Sequence, residues 1–175
     1  WQLGALQESM KFKADVPNFL EPWYGLGVVA TAFGFPYVWA EGQAPAIEGK
    51  FASTKEFLDA PYKAVRETPE GRHNLEMLEY FLDKTKGRLP ISYCDLQSPL
   101  NNLSNIIDTC QFYLDFCLEP EQILQAMDRV ADLTIDYTRI QQEMIGDALV
   151  KPGHGFSSSR VFNGLGLSDD SMTML

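Results

Sequence analysis

Leu89-Pro90-Ile91-Ser92-Tyr93-Cys94-Asp95-Leu96-Gln97-Ser98-Pro99-Leu100 is the stretch where an apolar run stops and polar groups take over. Lys86-Gly87-Arg88 ahead of it is a turn, Leu89 to Cys94 reads as a buried strand, Asp95 to Pro99 as a loop, and Leu100 opens an amphipathic segment. The order is strand, loop, helix. In α/β proteins ligands gather at the carboxyl ends of parallel strands, where such a loop is delivered to a pocket floor. Asp95 is therefore a candidate site residue. The alternative reading is that its carboxylate only caps the turn that follows.

Upstream, residues 1 to 15 read as the end of a helix, with Leu3, Leu6 and Met10 at helical spacing. Val16 to Pro22 is a second strand candidate, a short apolar run ending in Glu21. It feeds Trp23 to Gly34, whose small residues permit close helix packing and whose Gly34 is a C-terminal stop. Gly25 and Gly27 lack the third glycine of a dinucleotide fingerprint, so phosphate cradling is the weaker reading there. Tyr37-Val38-Trp39 is short enough for an extended or hairpin segment at the periphery. Ser53 and Glu56 stand at capping-box spacing. Thr68 or Pro69 begins a longer helix with an apolar stripe at 75, 78, 81 and 82, and His73 near its start reads as a solvated surface histidine.

Downstream, Leu100 to Ile107 places Leu100, Leu103, Ile106 and Ile107 on one side, and Asn101, Asn102, Ser104 and Asn105 on the other. Cys110 to Leu118 is a further apolar piece. Pro120 at a first helical position and Gly146 past the end bracket a helix of roughly 25 residues, about 38 Å at 1.5 Å per residue, with apolar positions 123, 124, 127, 130, 137, 140 and 144. Asp147 to Gly155 then reads as a third strand with a polar loop. Apolar runs thus end at Glu21, Asp95 and Lys151/His154, each separated by helical material, as parallel β/α units require.

The 175 residues suit one domain, 1–175, and carry a formal charge of -10 with a pI near 4.6. That balance argues against a nucleic-acid surface, which needs clustered Lys and Arg. No run of roughly 18 apolar residues suggests a membrane span, and the charged first twenty residues do not read as a signal peptide. Three cysteines without a Cys-x-x-Cys pair suit a reducing cytoplasm better than a disulfide scaffold. Cys110 and Cys117 are expected to be small core residues. A start at Trp1 and a stop at Leu175, just after the cap-like Ser168-Asp169-Asp170-Ser171, lead us to expect a piece of a longer chain.

The order of Val16 to Gly34, Gly87 to Ile107, Leu118 to Ala148 and Gly166 to Ser171 resembles the uroporphyrinogen decarboxylase superfamily, which also contains cobalamin-dependent methyltransferases acting on corrinoid proteins and coenzyme M. Asp95-Leu96-Gln97-Ser98-Pro99-Leu100 followed by Glu119-Pro120-Glu121-Gln122-Ile123-Leu124 carries the resemblance most directly. It implies an α/β fold, a partial (β/α)8 TIM barrel, since complete barrels take about 250 residues. It implies pairing with another chain, such as a homodimer partner, or a larger original polypeptide. The decarboxylases use an arginine-rich segment near their start, which this sequence lacks, and a strand-end aspartate, near whose position Glu21 stands. The methyltransferase branch uses zinc held by a histidine and cysteines in the second half of the barrel, so no metal site is expected from this chain alone and zinc belongs to the full-length protein.

The reading is thus an enzyme leaning to corrinoid/thiol methyl transfer, with Glu21 and Asp95 as candidate catalytic residues. Tyr24, Gln97, His154 and Asp170 are the candidate substrate contacts, and the substrate is a small molecule or a corrinoid protein. Tetrapyrrole decarboxylation, or a non-catalytic α/β binding module, is the alternative. For Asp169 and Asp170, capping of a helix start is the competing role.

Overall fold

A computed structural model describes residues 2–13, 18–22, 25–150 and 166–171. It is mostly helical. Helices α1 (Gln2–Ser9), α2 (Thr54–Asp59), α3 (Pro69–Thr85), α4 (Pro99–Ile106), α5 (Thr109–Leu118) and α6 (Pro120–Ile145) surround a short parallel ladder, and β1 (Tyr37–Val38) pairs antiparallel with β2 (Ala46–Ile47) as a peripheral hairpin.

The ladder is the centre of the arrangement. Ile91 pairs in parallel with Leu20 on one side and Leu149 on the other. Leu20 N–H donates to Pro90 O at 2.8 Å, Ser92 N–H to Leu20 O at 2.9 Å, Ile91 N–H to Ala148 O at 2.8 Å and Val150 N–H to Ile91 O at 2.9 Å. The three apolar runs therefore lie side by side in chain order, with helices between them in sequence. The strand expected over Leu89 to Cys94 is shorter than its apolar run, for two reasons visible in the bonding. Pro90 has no N–H to give, and Cys94 N–H is taken at 2.8 Å by the Gln141 side chain instead of a neighbouring strand. The expected third strand likewise opens as a 3-10 turn, Gly146–Ala148, before pairing at Leu149. The sequence leads to a partial (β/α)8 barrel; among the described residues the ladder joins three segments through isolated parallel bridges in a mostly helical structure, and a barrel is not shown.

Helix α6 lends one long face to the core. Pro120 occupies its first turn and Gly146, with φ 56°, ends it, as the bracketing residues predict. Its buried face runs Ile123, Ala126, Val130, Leu133, Thr134, Tyr137, Thr138, Gln141 and Ile145, against α2, α3, α4 and α5. Each fully buried aliphatic side chain there contributes on the order of 1.5–3 kcal/mol. Leu124, placed on the stripe by sequence, is exposed instead. Helix α3 starts at the Thr68 cap, whose Oγ1 accepts Gly71 N–H at 3.0 Å, and buries Leu78 completely. The capping box on α2 is present in a shifted form: Ser53 Oγ accepts Glu56 N–H, and Glu56 Oε2 accepts Ala52 N–H at 2.6 Å.

Two expectations change. Trp23 to Gly34 does not build a helix over its described part, Gly25 to Gly34, beyond a 3-10 turn at Ala30–Phe33 that Gly34 ends in left-handed geometry at φ 90°. Gly25, at φ 85°, also rules out continuous helix. Cys110 and Cys117 are exposed and only Cys94 is buried. Helix α5 is apolar around its circumference but buries Phe112 and Asp115, which puts Cys110, Leu114 and Cys117 on the outer side.

Two polar clamps fix the helices. Arg129 on α6 donates from Nη1 to Phe57 O and Leu58 O at 2.6 and 2.9 Å, and from Nη2 to Ala60 O, closing the end of α2. Its guanidinium lies 4.4 Å from the Tyr62 ring centroid and also covers Phe33 and Phe57. Asp115 on α5 accepts Thr54 N–H at 3.1 Å and Gln111 Nε2–H at 2.7 Å. Burial raises the Asp115 pKa, but hydrogen bonds from Thr54 and Gln111 outweigh it and hold the carboxyl below its ordinary value.

Replacing Arg129 by Met is expected to cost about 2–4 kcal/mol, since several charged hydrogen bonds and the ring contacts go together. Lys should recover less than half of it, because one ammonium cannot reproduce the fork; urea midpoints measure both. The Asp115 contribution is present above the ordinary carboxyl pKa of about 3.9 and lost as pH falls through the lower folded value. Asp115→Asn should therefore lower thermal stability at pH 7, and the gap to wild type should close as pH falls through the lowered folded value.

Candidate functional site

The loop after the central pairing is buried from Ile91 to Ser98 without interruption. Asp95, 1 % exposed, accepts Gln97 N–H on Oδ1 at 3.0 Å. That Asx turn supports Gln97 in the left-handed region at φ 55°, a conformation costing a non-glycine residue roughly 1–2 kcal/mol. The turn-capping role weighed from sequence is thus real for one carboxylate oxygen. It also fixes the carboxylate at the loop's entrance.

Helix α4 continues the construction. Ser98 Oγ accepts Asn101 N–H at 3.1 Å and caps it. Asn101 and Asn102, expected on the solvent side, are 3 % and 1 % exposed. Asn102 Nδ2 donates to Leu96 O at 2.8 Å and Ser98 O at 3.0 Å, tying the helix back to the loop. Asn101 serves a different partner. Its Oδ1 accepts Ser171 N–H at 2.8 Å, while Ser98 N–H donates to Ser168 O at 2.9 Å and the Ser104 and Ser171 hydroxyls meet at 2.7 Å. The Gly166 to Ser171 segment is thereby laid across the polar face of α4. Asp170 on it is exposed, and Asp169 keeps Oδ1 buried without a hydrogen-bond partner among the described residues. Asp170 directly precedes Ser171, which is in 3-10 helical conformation. Gln97 Oε1 faces Asn105 Nδ2 at 3.4 Å.

Glu21 follows Leu20 at the end of the neighbouring segment and is half-buried. Its backbone forms a two-way pair with the Gln2 side chain of α1: Glu21 N–H to Oε1 at 2.9 Å and Nε2–H to Glu21 O at 2.6 Å. The register of the ladder therefore brings Glu21 and Asp95 to the same end of adjacent segments. Tyr24 and His154 lie outside the described residues. His73 is a surface residue, with Nδ1 3.6 Å from Glu76 Oε2. Gly25 and Gly27 serve packing: a Cβ at Gly25 would meet Pro45 at 2.7 Å, and one at Gly27 would meet Ile47 at 2.8 Å and Tyr37 at 2.9 Å. Gly27 N–H already donates to Tyr37 Oη at 2.8 Å, which removes it from any phosphate cradle.

Behind the two strand ends runs a polar layer that sequence reading missed. Pro22 O accepts Asn74 Nδ2 at 2.7 Å. Tyr137 Oη lies 2.7 Å from Gly71 O and 2.9 Å from Asn74 Oδ1 and shares its proton between them. Burial first, and then the neighbouring Cys94, push the Tyr137 phenol far above its ordinary pKa, so it stays a donor. Gln141, fully buried, holds Cys94 N–H. The signal available in the sequence was a polar residue at each apolar-stripe position, Asn74 before Leu78 and Gln141 after Tyr137.

Among the described residues no three His, Cys, Asp or Glu side chains come together as a metal site, and no helix is long and apolar enough to cross a membrane. A surface cavity of about 480 Å³ lies elsewhere, lined by Phe33, Phe35, Tyr62, Lys63, Glu67 and Glu70 among others, and includes none of the strand-end acids.

No protein-family model and no curated protein matches the sequence. In structure the chain is similar to a methyltransferase from Methanosarcina mazei, with a TM-score of 0.61 and 19 % identity over 72 % of this chain. The match covers 37 % of that methyltransferase. The likeness is one of fold, to a part of a longer protein.

Proposed function

We propose that the chain is part of a methyltransferase of the uroporphyrinogen decarboxylase superfamily, built on a (β/α)8 barrel that these residues form in part, and that it transfers a methyl group from a corrinoid to a thiol. The observation that carries the reading is the buried polar loop Asp95 to Ser98 at the carboxyl end of the central parallel pairing, with Glu21 following Leu20 at the same end of the adjacent segment. Ligand sites of parallel β/α folds form at that end. The methyltransferase likeness in fold supports the branch.

In such a transfer the thiol loses its proton, a sulfur–carbon bond forms, and the cobalt–carbon bond breaks with its electron pair left on cobalt. The roles assigned to this chain are binding and orientation. Asp95, fixed by its turn to Gln97, and Glu21 accept hydrogen bonds from the substrate and hold it against the reacting carbon. Gln97 and Asp170 line the approach, and Tyr24 and His154 complete it. Zinc, ligated in the remainder of the barrel, would lower the thiol pKa. The partner is a small thiol or a corrinoid protein, a second copy of the chain is the expected assembly, and the compartment is the cytoplasm. Tetrapyrrole decarboxylation is the second reading, favoured by one feature: Asp95 is itself a buried aspartate at a strand end.

The test is turnover of methylcobalamin with 2-mercaptoethanesulfonate, followed by the cobalamin spectrum and by thioether formation. Activity is expected of the full-length protein, and Asp95→Ala in it should lower kcat/KM by about 100-fold or more, the scale set by misplacing a substrate near 1 Å. Inert wild-type protein that instead releases carbon dioxide from uroporphyrinogen would move the assignment to the second reading. Failure of both overturns the enzymatic reading.

A further inference from the structure

We propose that Tyr137 and Gln141 of α6, together with Asn74 of α3, are positioning residues that set the spacing and orientation of Glu21 and Asp95. The inference rests on the reading that these acids face the substrate, and it names the residues that keep them in register.

Two backbone groups define where the acids stand. Cys94 N–H immediately precedes Asp95, and Pro22 C=O immediately follows Glu21. Both are held by side chains: Cys94 N–H by Gln141 Oε1 at 2.8 Å, and Pro22 O by Asn74 Nδ2 at 2.7 Å. Asn74 has no freedom to turn over, because giving Nδ2 to Pro22 leaves Oδ1 to accept from Tyr137 Oη at 2.9 Å. Tyr137 and Gln141 are four residues apart, one turn along the same face of α6. A single helix thus holds one acid's strand end directly and the other's through one intervening amide.

Burial sharpens the argument. Asn74 and Gln141 are 0 % exposed and Tyr137 is 1 % exposed, so none of the three is needed for solvation. Gln141 even leaves Nε2 without a partner among the described residues. A buried donor without a partner costs about 1–3 kcal/mol, and an apolar side chain of the same length would avoid that cost. What Gln141 provides in exchange is the carbonyl that takes Cys94 N–H where the ladder stops. Without it the first peptide group of the Asp95 loop would be a buried orphan, and the loop would be free to shift toward another acceptor.

The test uses Tyr137→Phe, which removes only the hydroxyl, Gln141→Met, which keeps length but has no carbonyl, and Gln141→Glu, which restores an acceptor at the same reach. In the methylcobalamin and thiol assay, Tyr137→Phe and Gln141→Met should each lower kcat about tenfold with KM within about twofold, the mark of lost geometry at the reacting centre. Gln141→Glu should return to within about threefold of wild type, provided its buried carboxyl is neutral, so the assay is run at low pH as well. A second arm needs no substrate. In carbon-detected NMR of the protein labelled at its carboxyls, Gln141→Met should shift the Asp95 carboxyl carbon resonance and the Gln97 amide proton, since both report the Asx turn. If the Asp95 carboxyl carbon and the Gln97 amide stay at their wild-type resonances in Gln141→Met while Cys94 N–H has lost its bond, the inference is wrong, whatever reaction the protein catalyses. Moved Asp95 and Gln97 resonances in a protein inert toward methylcobalamin would keep the positioning role and reject the methyl-transfer reading instead.

Discussion

The structure depends on the pairing at Ile91. A fully buried residue in the middle of a parallel ladder must have both backbone groups satisfied by neighbours, because no water reaches them. Ile91 gives its N–H to Ala148 and takes Val150 N–H on its carbonyl, while Pro90 and Ser92 serve Leu20 on the other side. Parallel segments cannot be joined by tight turns. The crossover from Leu20 to Ile91 therefore contains the hairpin, α2 and α3, and that from Ile91 to Leu149 contains α4, α5 and α6. The helices have to lie outside the ladder because the connections demand it, and α6 becomes the longest of them because it covers the rest.

Much of this was legible in the sequence where one physical cause dominated. Pro120 and Gly146 bracket α6 because proline fits only a first turn and glycine tolerates the exit angle. Ser53 caps α2 as its spacing to Glu56 announces, and α3 begins at Thr68 and Pro69 as expected. The three apolar runs that end at acids or polar loops do pair in parallel. Legibility failed where two causes competed. In Gly25 to Gly34 the small residues are compatible with helix, but contact with the hairpin at Pro45, Tyr37 and Ile47 claims them. On α5 the apolar residues go all round, so periodicity cannot say that Cys110 and Cys117 face out.

The site was legible in one dimension and hidden in the other. Asp95 stands out locally because it ends an apolar run, and Glu21 does so for the same reason. The polar groups that hold them do not stand out, since Asn74 and Gln141 sit on helices 52 and 47 residues away in sequence from the groups they hold and take meaning only from what they touch. Asn101 and Asn102 were misplaced for a related reason. Amides at the start of a helix look solvated, yet here they are consumed by the Leu96 and Ser98 carbonyls and by a distant segment of chain.

That distant segment carries a consequence for synthesis. The bonds from Ser98, Asn101 and Ser104 to Ser168 and Ser171 span about seventy residues. Contacts so far apart in sequence form late and slow folding. A chain emerging from the ribosome N-terminus first can complete α6 and the pairing at Ile91 while the polar face of α4 is still uncovered. Its asparagines keep that face hydrated through the interval, where an apolar face of the same size would be a place for nascent chains to stick to one another. The polarity of α4 serves the unfinished protein as well as the finished one.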